Sequence, residues 1–312
     1  MTPLRWGVIA TVKAPPRAVL GFAAHHLELG AHRVFIYLDA EAPEVQARLA
    51  AHPKLRVFRT GDEWWQKRGG RPERHQARQT RNLRHALNRR AEVDWLAHID
   101  VDEFLWPRAE PVAETLAALP ADCLCARVRP IEALAQPAGG PPVHFKAFLL
   151  DRTARQAAAR RVFPTWGAEL PGGFLSHVAG KLFLRTGHGL RARIHNAWLG
   201  EEQNPGERPL PGIELCHLHA PDWETWIGHY RYRLGAGAYR AELKPQAGPG
   251  SRGLTVHALL SGIEAAAGEE GLRAFFEEVC TATPERRAAL EREGLLRRCE
   301  LDLDAKIARQ FP

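Results

Sequence analysis

The chain has 312 residues, enough for a full α/β core, and its 45% hydrophobic and 25% charged fractions are those of an ordinary soluble globular protein. No apolar run approaches the roughly 20 residues that span a bilayer, and the five cysteines lack the CxxC spacing of a zinc site or a disulfide framework, so a reducing cytoplasm is expected. A formal charge of +7 favours anionic partners, whether nucleotide diphosphates, nucleic acid or an anionic membrane surface, without choosing among them.

The segment around Trp6 to Val12 follows no charged region, long apolar stretch and cleavage site of a leader, and residues 4–12 read as a first buried strand. Residues 17–29 carry apolar positions at helical spacing and stop at Gly30. A second strand at 33–38 ends at Asp39, so the first forty residues form one βαβ unit with a parallel pair. A helix after Pro43 leads to a third strand at 55–58, and the polar stretch 59–75, with Trp64, Trp65 and Gly69-Gly70, reads as a loop. Residues 76–90 are helical in composition and run into a strand at 94–99 that ends at Asp100. Further along, a helix at 112–119, a strand at 123–128, a Pro- and Gly-rich loop at 136–142 and strands at 145–150 and 180–184 are expected. Beyond Pro221 the chain turns helical, with a break at 244–253 and two or three helices in the tail. The expected fold class is α/β, an open, twisted, mostly parallel sheet flanked by helices. Its catalytic domain spans 1–220 and a helical C-terminal annex spans 221–312.

Asp100 and Asp102 flank one residue at a strand end, the edge where open α/β sheets bind ligands. Two carboxylates so close repel unless a cation lies between them. Mn²⁺ or Mg²⁺ does this with one or two protein carboxylates and completes its shell from phosphate and water. The same pair can also merely cap a loop or a following helix. Tryptophans 64, 65 and 198 suit stacking on a sugar or base, or the anchoring of loops.

The run Ala24-His25-His26-Leu27-Glu28-Leu29-Gly30, then Val34-Phe35-Ile36-Tyr37, then Asp94-Trp95-Leu96-Ala97-His98-Ile99-Asp100-Val101-Asp102-Glu103-Phe104-Leu105 resembles the family-2-like and family-92-like glycosyltransferases. The likeness is tight over residues 5–106. It continues loosely through Gly180-Lys181-Leu182-Phe183, Ile194-His195-Asn196 and Leu215-Cys216-His217-Leu218-His219. It implies a GT-A fold, a nucleotide-sugar donor, inversion at the sugar carbon and a divalent metal at Asp100 and Asp102, with His195 as the first choice over His217 and His219 for a further ligand. The donor is expected at Val12, Lys13, Asp39, Gln76, Asp100 and Lys181, with Asp39 facing its base or ribose or serving as a plain turn residue, and Lys13 approaching a phosphate or staying solvated. His25 and His26 belong to the pattern, or are buried hydrogen-bonded histidines.

The chain departs from the family in two places: Lys13-Ala14-Pro15-Pro16 stands where an Asn-Glu pair is usual, and Gly21-Phe22 replaces an acid before the His-His pair. An inverting transfer needs a base for the acceptor hydroxyl. Residues 170–200 hold no acid, so Asp222 is expected to serve, with Glu169 second. The acceptor is a hydroxyl on a glycan or lipid-linked glycan, and the basic charge suits peripheral contact with the inner face of a membrane. Other readings are a nucleotidyl or phosphoryl transferase using the same metal logic, a degenerate member of the fold, and a basic nucleic-acid-binding module. The phosphate-loop and kinase signatures are missing, as are nucleic-acid motifs, so nucleic acid is not an expected partner.

Overall fold

Residues 3–89, 92–235 and 253–312 are described by a computed structural model; residues 244–252 of the expected break lie outside them. In chain order the first elements are β1 (Trp6–Val12), α1 (Pro16–Glu28), β2 (Arg33–Leu38), α2 (Pro43–Ala50), β3 (Leu55–Arg59), α3 (Asp62–Gln66), α4 (His75–Asn88), β4 (Trp95–His98), β5 (Glu103–Pro107) and α5 (Val112–Ala117). They are followed by β6 (Cys125–Leu134), β7 (His144–Lys146), α6 (Arg152–Val162), β8 (Lys181–Arg185), β9 (Arg191–Ala192), β10 (Ala197–Leu199), β11 (Glu202–Gln203) and β12 (Arg208–His217). The last are α7 (Trp223–Gly235), α8 (Val256–Cys280), α9 (Pro284–Arg292), β13 (Leu296–Arg298) and α10 (Leu303–Gln310).

Two compact units divide the chain, the first made of Met1–Arg129, Ala179–Leu215 and Leu301–Pro312, the second of Pro130–Val178 and Cys216–Glu300. The stretch 221–312 is therefore shared between them. In the first unit β3, β2, β1 and β4 lie side by side and parallel, and β8 then runs antiparallel between β4 and the start of β6. β1 is buried at every position, as expected of a parallel strand covered on both faces. α1 begins with Pro16, whose missing N–H costs nothing in a first turn, and buries Val19, Leu20, Phe22 and Leu27. Against it packs α10, with Leu303 3.6 Å from where a Cβ on Gly21 would stand. In the second unit the end of β6 pairs antiparallel with β7, and β7 with β13. There α7 and α8 meet through Trp223, Trp226 and Phe276. The open α/β sheet flanked by helices is consistent with the GT-A-like fold that the family resemblance implies.

Several elements escaped the sequence pattern, among them the short strands β10, β11 and β13. The stretch expected as a loop holds α3, whose first turn carries Asp62 and Glu63 where the helix dipole favours acids. α6 follows an early end of β7, started by Asp151, which accepts from the Ala154 amide at 2.7 Å and caps an Ala- and Arg-rich run of good helix formers. β5 and β12 pair with each other; their hydrogen bonds, not their periodicity, make them strands. In α8 the helix breaks at Gly268, which takes φ 59°. No helix among the described residues is long and apolar enough to cross a membrane.

Candidate active site

The carboxyl ends of β2, β1 and β4 lie at one edge of the sheet. The Asp39 amide donates to the Val12 carbonyl at 2.8 Å and the Ile99 amide to that of Ile9 at 3.2 Å, so Val12, Asp39 and Asp100 end neighbouring strands. The first turn of α4 lies over this edge with His75, Arg78 and Gln79 on one face, as residues three and four apart must be. Arg78 Nε donates to Asp39 Oδ2 at 2.8 Å and Gln79 Nε2 to Asp100 Oδ1 at 2.5 Å. One turn further, Asn82 Nδ2 donates to Thr11 Oγ1 at 3.0 Å and ties the helix to β1.

Asp39 has no exposed side-chain surface. Its carboxylate accepts from Arg78, from Arg71 Nη2 at 2.9 Å and from Thr60 Oγ1 at 3.2 Å. Two guanidiniums therefore satisfy one buried charge, the arrangement that makes such burial tolerable. His75 stands 3.9 Å from the same carboxylate. Burial, then Arg78, lowers its pKa despite Asp100 and Asp39, so it is neutral near pH 7.

The acidic turn after β4 is built around a buried lysine. Lys181 Nζ donates to Asp100 Oδ2 at 2.6 Å and lies 3.3 Å from Glu103 Oε2. Glu103 Oε2 also accepts from the Asp100 amide at 2.7 Å. Lys181 and Glu103 are wholly buried, whereas Asp100 keeps a third of its side chain exposed. Burial alone would lower the Lys181 pKa, but the two carboxylates outweigh it and raise it. His98, the last residue of β4, is buried with both ring nitrogens lacking a hydrogen-bond partner among the described residues. Burial, then Lys181, pushes its pKa down to about 3.

His195 is fixed from behind. Its Nδ1–H donates to the Gly180 carbonyl at 2.9 Å, and burial followed by the Lys181 charge lowers its pKa, leaving a neutral ring. Gly180 takes φ 75°, and a Cβ there would stand 2.2 Å from the Val128 carbonyl oxygen, so only glycine fits at this step. Arg127 pins the same loops: it pairs with Glu207 and donates to the carbonyls of Ala179 at 3.0 Å and His195 at 3.1 Å.

The His-His pair has a physical role within this unit. His25 Nε2–H donates to the Leu105 carbonyl at 2.8 Å, and His25 Nδ1 accepts from Lys306 Nζ at 3.1 Å. His26 Nδ1–H donates to the Phe22 carbonyl at 2.8 Å and its Nε2 accepts from the Leu105 amide at 3.4 Å. Two opposite tautomers thus satisfy both backbone groups of one residue in β5, the strand that leaves the acidic turn. Burial holds His26 at about 3 and His25 well below its ordinary value.

The other expected residues are placed as follows. Lys13 is exposed at the end of β1, and Gln76 is exposed on α4 one turn before Gln79, which is the glutamine that reaches Asp100. Trp65 is core. Trp64 packs on Tyr37 and carries the Arg68 guanidinium 3.4 Å above its ring, and the Arg193 guanidinium lies 5.2 Å from the Trp198 ring. In the second unit Asp222 accepts from the Thr225 amide at 2.7 Å, a cap for α7, and Glu169 is buried. There too His217 and His219 face each other at 5.1 Å. Both act on the buried Glu132, whose pKa, despite burial, is held at about 2 chiefly by Lys146. Arg71, Arg78, Gln79 and Arg127 hold the candidate-site residues in place and were not expected from the sequence; no motif marks them.

No family model matches the chain, and no curated protein matches it. The solved structures that resemble it include the following two. One is WbbM, titled a bifunctional glycosyltransferase, at 15% identity and TM-score 0.30 over 59% of this chain; the chain spans 32% of WbbM's length. The other is HddC from Yersinia pseudotuberculosis, at 10% identity and TM-score 0.30 over 69% of this chain and 77% of HddC. Likeness at this level says nothing of what the chain acts on.

Proposed function

We propose that the chain is a metal-dependent glycosyltransferase that holds the diphosphate of a nucleotide-sugar at Asp100 and Asp102 and moves the sugar to a hydroxyl acceptor. The observation that carries this reading is the acidic turn itself. It lies at the carboxyl end of β4, beside the ends of β1 and β2, with Asp100 partly exposed and held from two sides by Gln79 and Lys181.

The donor set suits a hard divalent cation. A carboxylate oxygen can accept a hydrogen bond and ligate a cation at once, and Asp102 adds a second carboxylate to Asp100. His195 is fixed by the Gly180 carbonyl in the tautomer whose Nε2 carries the lone pair, the outer support that metal-binding imidazoles usually have. Among the described residues no three His, Cys, Asp or Glu side chains are preassembled around one point. Mn²⁺ or Mg²⁺ needs only one or two carboxylates when phosphate and water complete its shell. Bound there, the cation offsets charge on the leaving nucleotide.

The remaining roles follow from the chain's own residues. Arg71, the more exposed of the two arginines on the buried Asp39, is the proposed contact to a base or ribose there. Lys13 offers a point charge for phosphate. His98, buried and with both ring nitrogens unpartnered among the described residues, ends β4 just before the acidic turn. Asp222 and Glu169 are the proposed bases of an inverting transfer, to a glycan or lipid-linked glycan hydroxyl. The basic balance serves peripheral contact with an anionic membrane.

The test is a thermal-shift screen against UDP, GDP and CMP and their sugars, with Mn²⁺ or EDTA, since a ligand that binds only the native state raises the melting temperature. One nucleotide should raise it in Mn²⁺ and not in EDTA. No shift with any of them, in a cooperative transition, sinks the reading.

A further inference from the structure

We infer that Lys181 is a built-in counter-ion that keeps the acidic turn from holding a divalent cation on its own, so that metal is taken up only together with the nucleotide diphosphate. This inference rests on the glycosyltransferase reading and concerns how that site is loaded.

Three observations support it. Lys181 is wholly buried and lies 2.6 Å from the carboxylate that would be a metal ligand, so it cannot swing into solvent as an exposed lysine does. It is locked there from a second side by the buried Glu103, at 3.3 Å, and Glu103 is itself oriented by the Asp100 amide. The other oxygen of Asp100 already accepts from Gln79. A cation arriving alone would have to share a carboxylate that already pairs with an ammonium, and would itself be repelled by that ammonium.

A diphosphate changes the balance. It brings oxygen ligands and negative charge of its own, and the cation then bridges two partners that each hold it weakly. By linkage, whatever factor the nucleotide adds to metal affinity the metal adds to nucleotide affinity. The lysine thus makes the two ligands cooperative, where a turn with three unopposed carboxylates would fill with metal first.

Mn²⁺ binding, read from the loss of the free-ion EPR signal, tests this without any turnover. Wild type should take up Mn²⁺ poorly by itself and at least tenfold more tightly with UDP, GDP or CMP, whichever binds. Lys181→Gln, which keeps a hydrogen-bond donor and removes the charge, should bind Mn²⁺ alone on the order of 10- to 100-fold more tightly than wild type, the effect of one unit charge a few ångströms away. Lys181→Met should do the same with no donor at all. If either variant fails to fold, wild type still decides: tight Mn²⁺ binding without nucleotide overturns the inference. Equal Mn²⁺ affinity in wild type and a folded Lys181→Gln also overturns it, and leaves the glycosyltransferase reading standing. If neither wild type nor variant takes up Mn²⁺ with any of the three nucleotides, the reading beneath the inference falls as well.

Discussion

Acid should loosen the first unit through the histidines that hold β5. His26 is fully buried and held at about 3, mainly by burial, against an ordinary value of 6.5. The unfolded chain therefore takes up a proton first as the pH falls. The neutral ring contributes its full stability above pH 6.5, and this is lost progressively as the pH drops toward the folded value. At pH 5, about one and a half pH units below the unfolded value, the loss from His26 alone is about 2 kcal/mol. His25, lowered in the same direction by burial and by His26, adds to it. Against a typical total of about 5–15 kcal/mol this is a large share. The assay is urea unfolding at pH 8 and pH 5 in wild type and in His26→Gln, whose amide can still donate to Phe22 and accept from Leu105. The gap in stability between the two pH values should be about 2 kcal/mol smaller in the variant. Parallel pH dependence in both proteins would show that His26 is not a buried neutral tether.

Other outcomes follow from single contacts. Gly180→Ala places a Cβ against the Val128 carbonyl at a positive φ, and should cost about 2 kcal/mol or more in a denaturant melt; a neutral result would mean the loop relaxes freely. Arg78→Ala leaves the buried Asp39 with one guanidinium instead of two, and should destabilise by about 3 kcal/mol, measured the same way. Asp222→Ala removes the α7 cap and should lower the melting temperature slightly. If it abolishes sugar transfer while the melting temperature holds, Asp222 is the base, and if transfer persists, Glu169→Gln is the next variant to assay.

The acidic turn and the order of strands and helices around it could be read from the sequence because each depends on residues close together in the chain. The βαβ start shows as two apolar runs and a periodic helix, and Asp100 follows directly on its strand. What holds these residues could not be read. Lys181 meets Asp100 across 81 positions, and His25 meets Leu105 across 80, so neither partner carries a local signal. Lys181 was expected to face the donor, yet it lies wholly buried against Asp100 and Glu103. Gln76 and Gln79 differ by one helical turn, and only the packing of α4 on the strand ends decides which reaches Asp100. Strands β5 and β12 and helix α6 were missed for a related reason: pairing and a cap define them more than periodicity does.

The most direct test of the central claim is calorimetric titration of the nucleotide that raises the melting temperature, in Mn²⁺, into wild type, Asp100→Asn and Asp102→Asn. The account predicts that both variants stay folded and lose metal-dependent binding at least tenfold, about 1.4 kcal/mol or more. Wild-type affinity in both variants would contradict it.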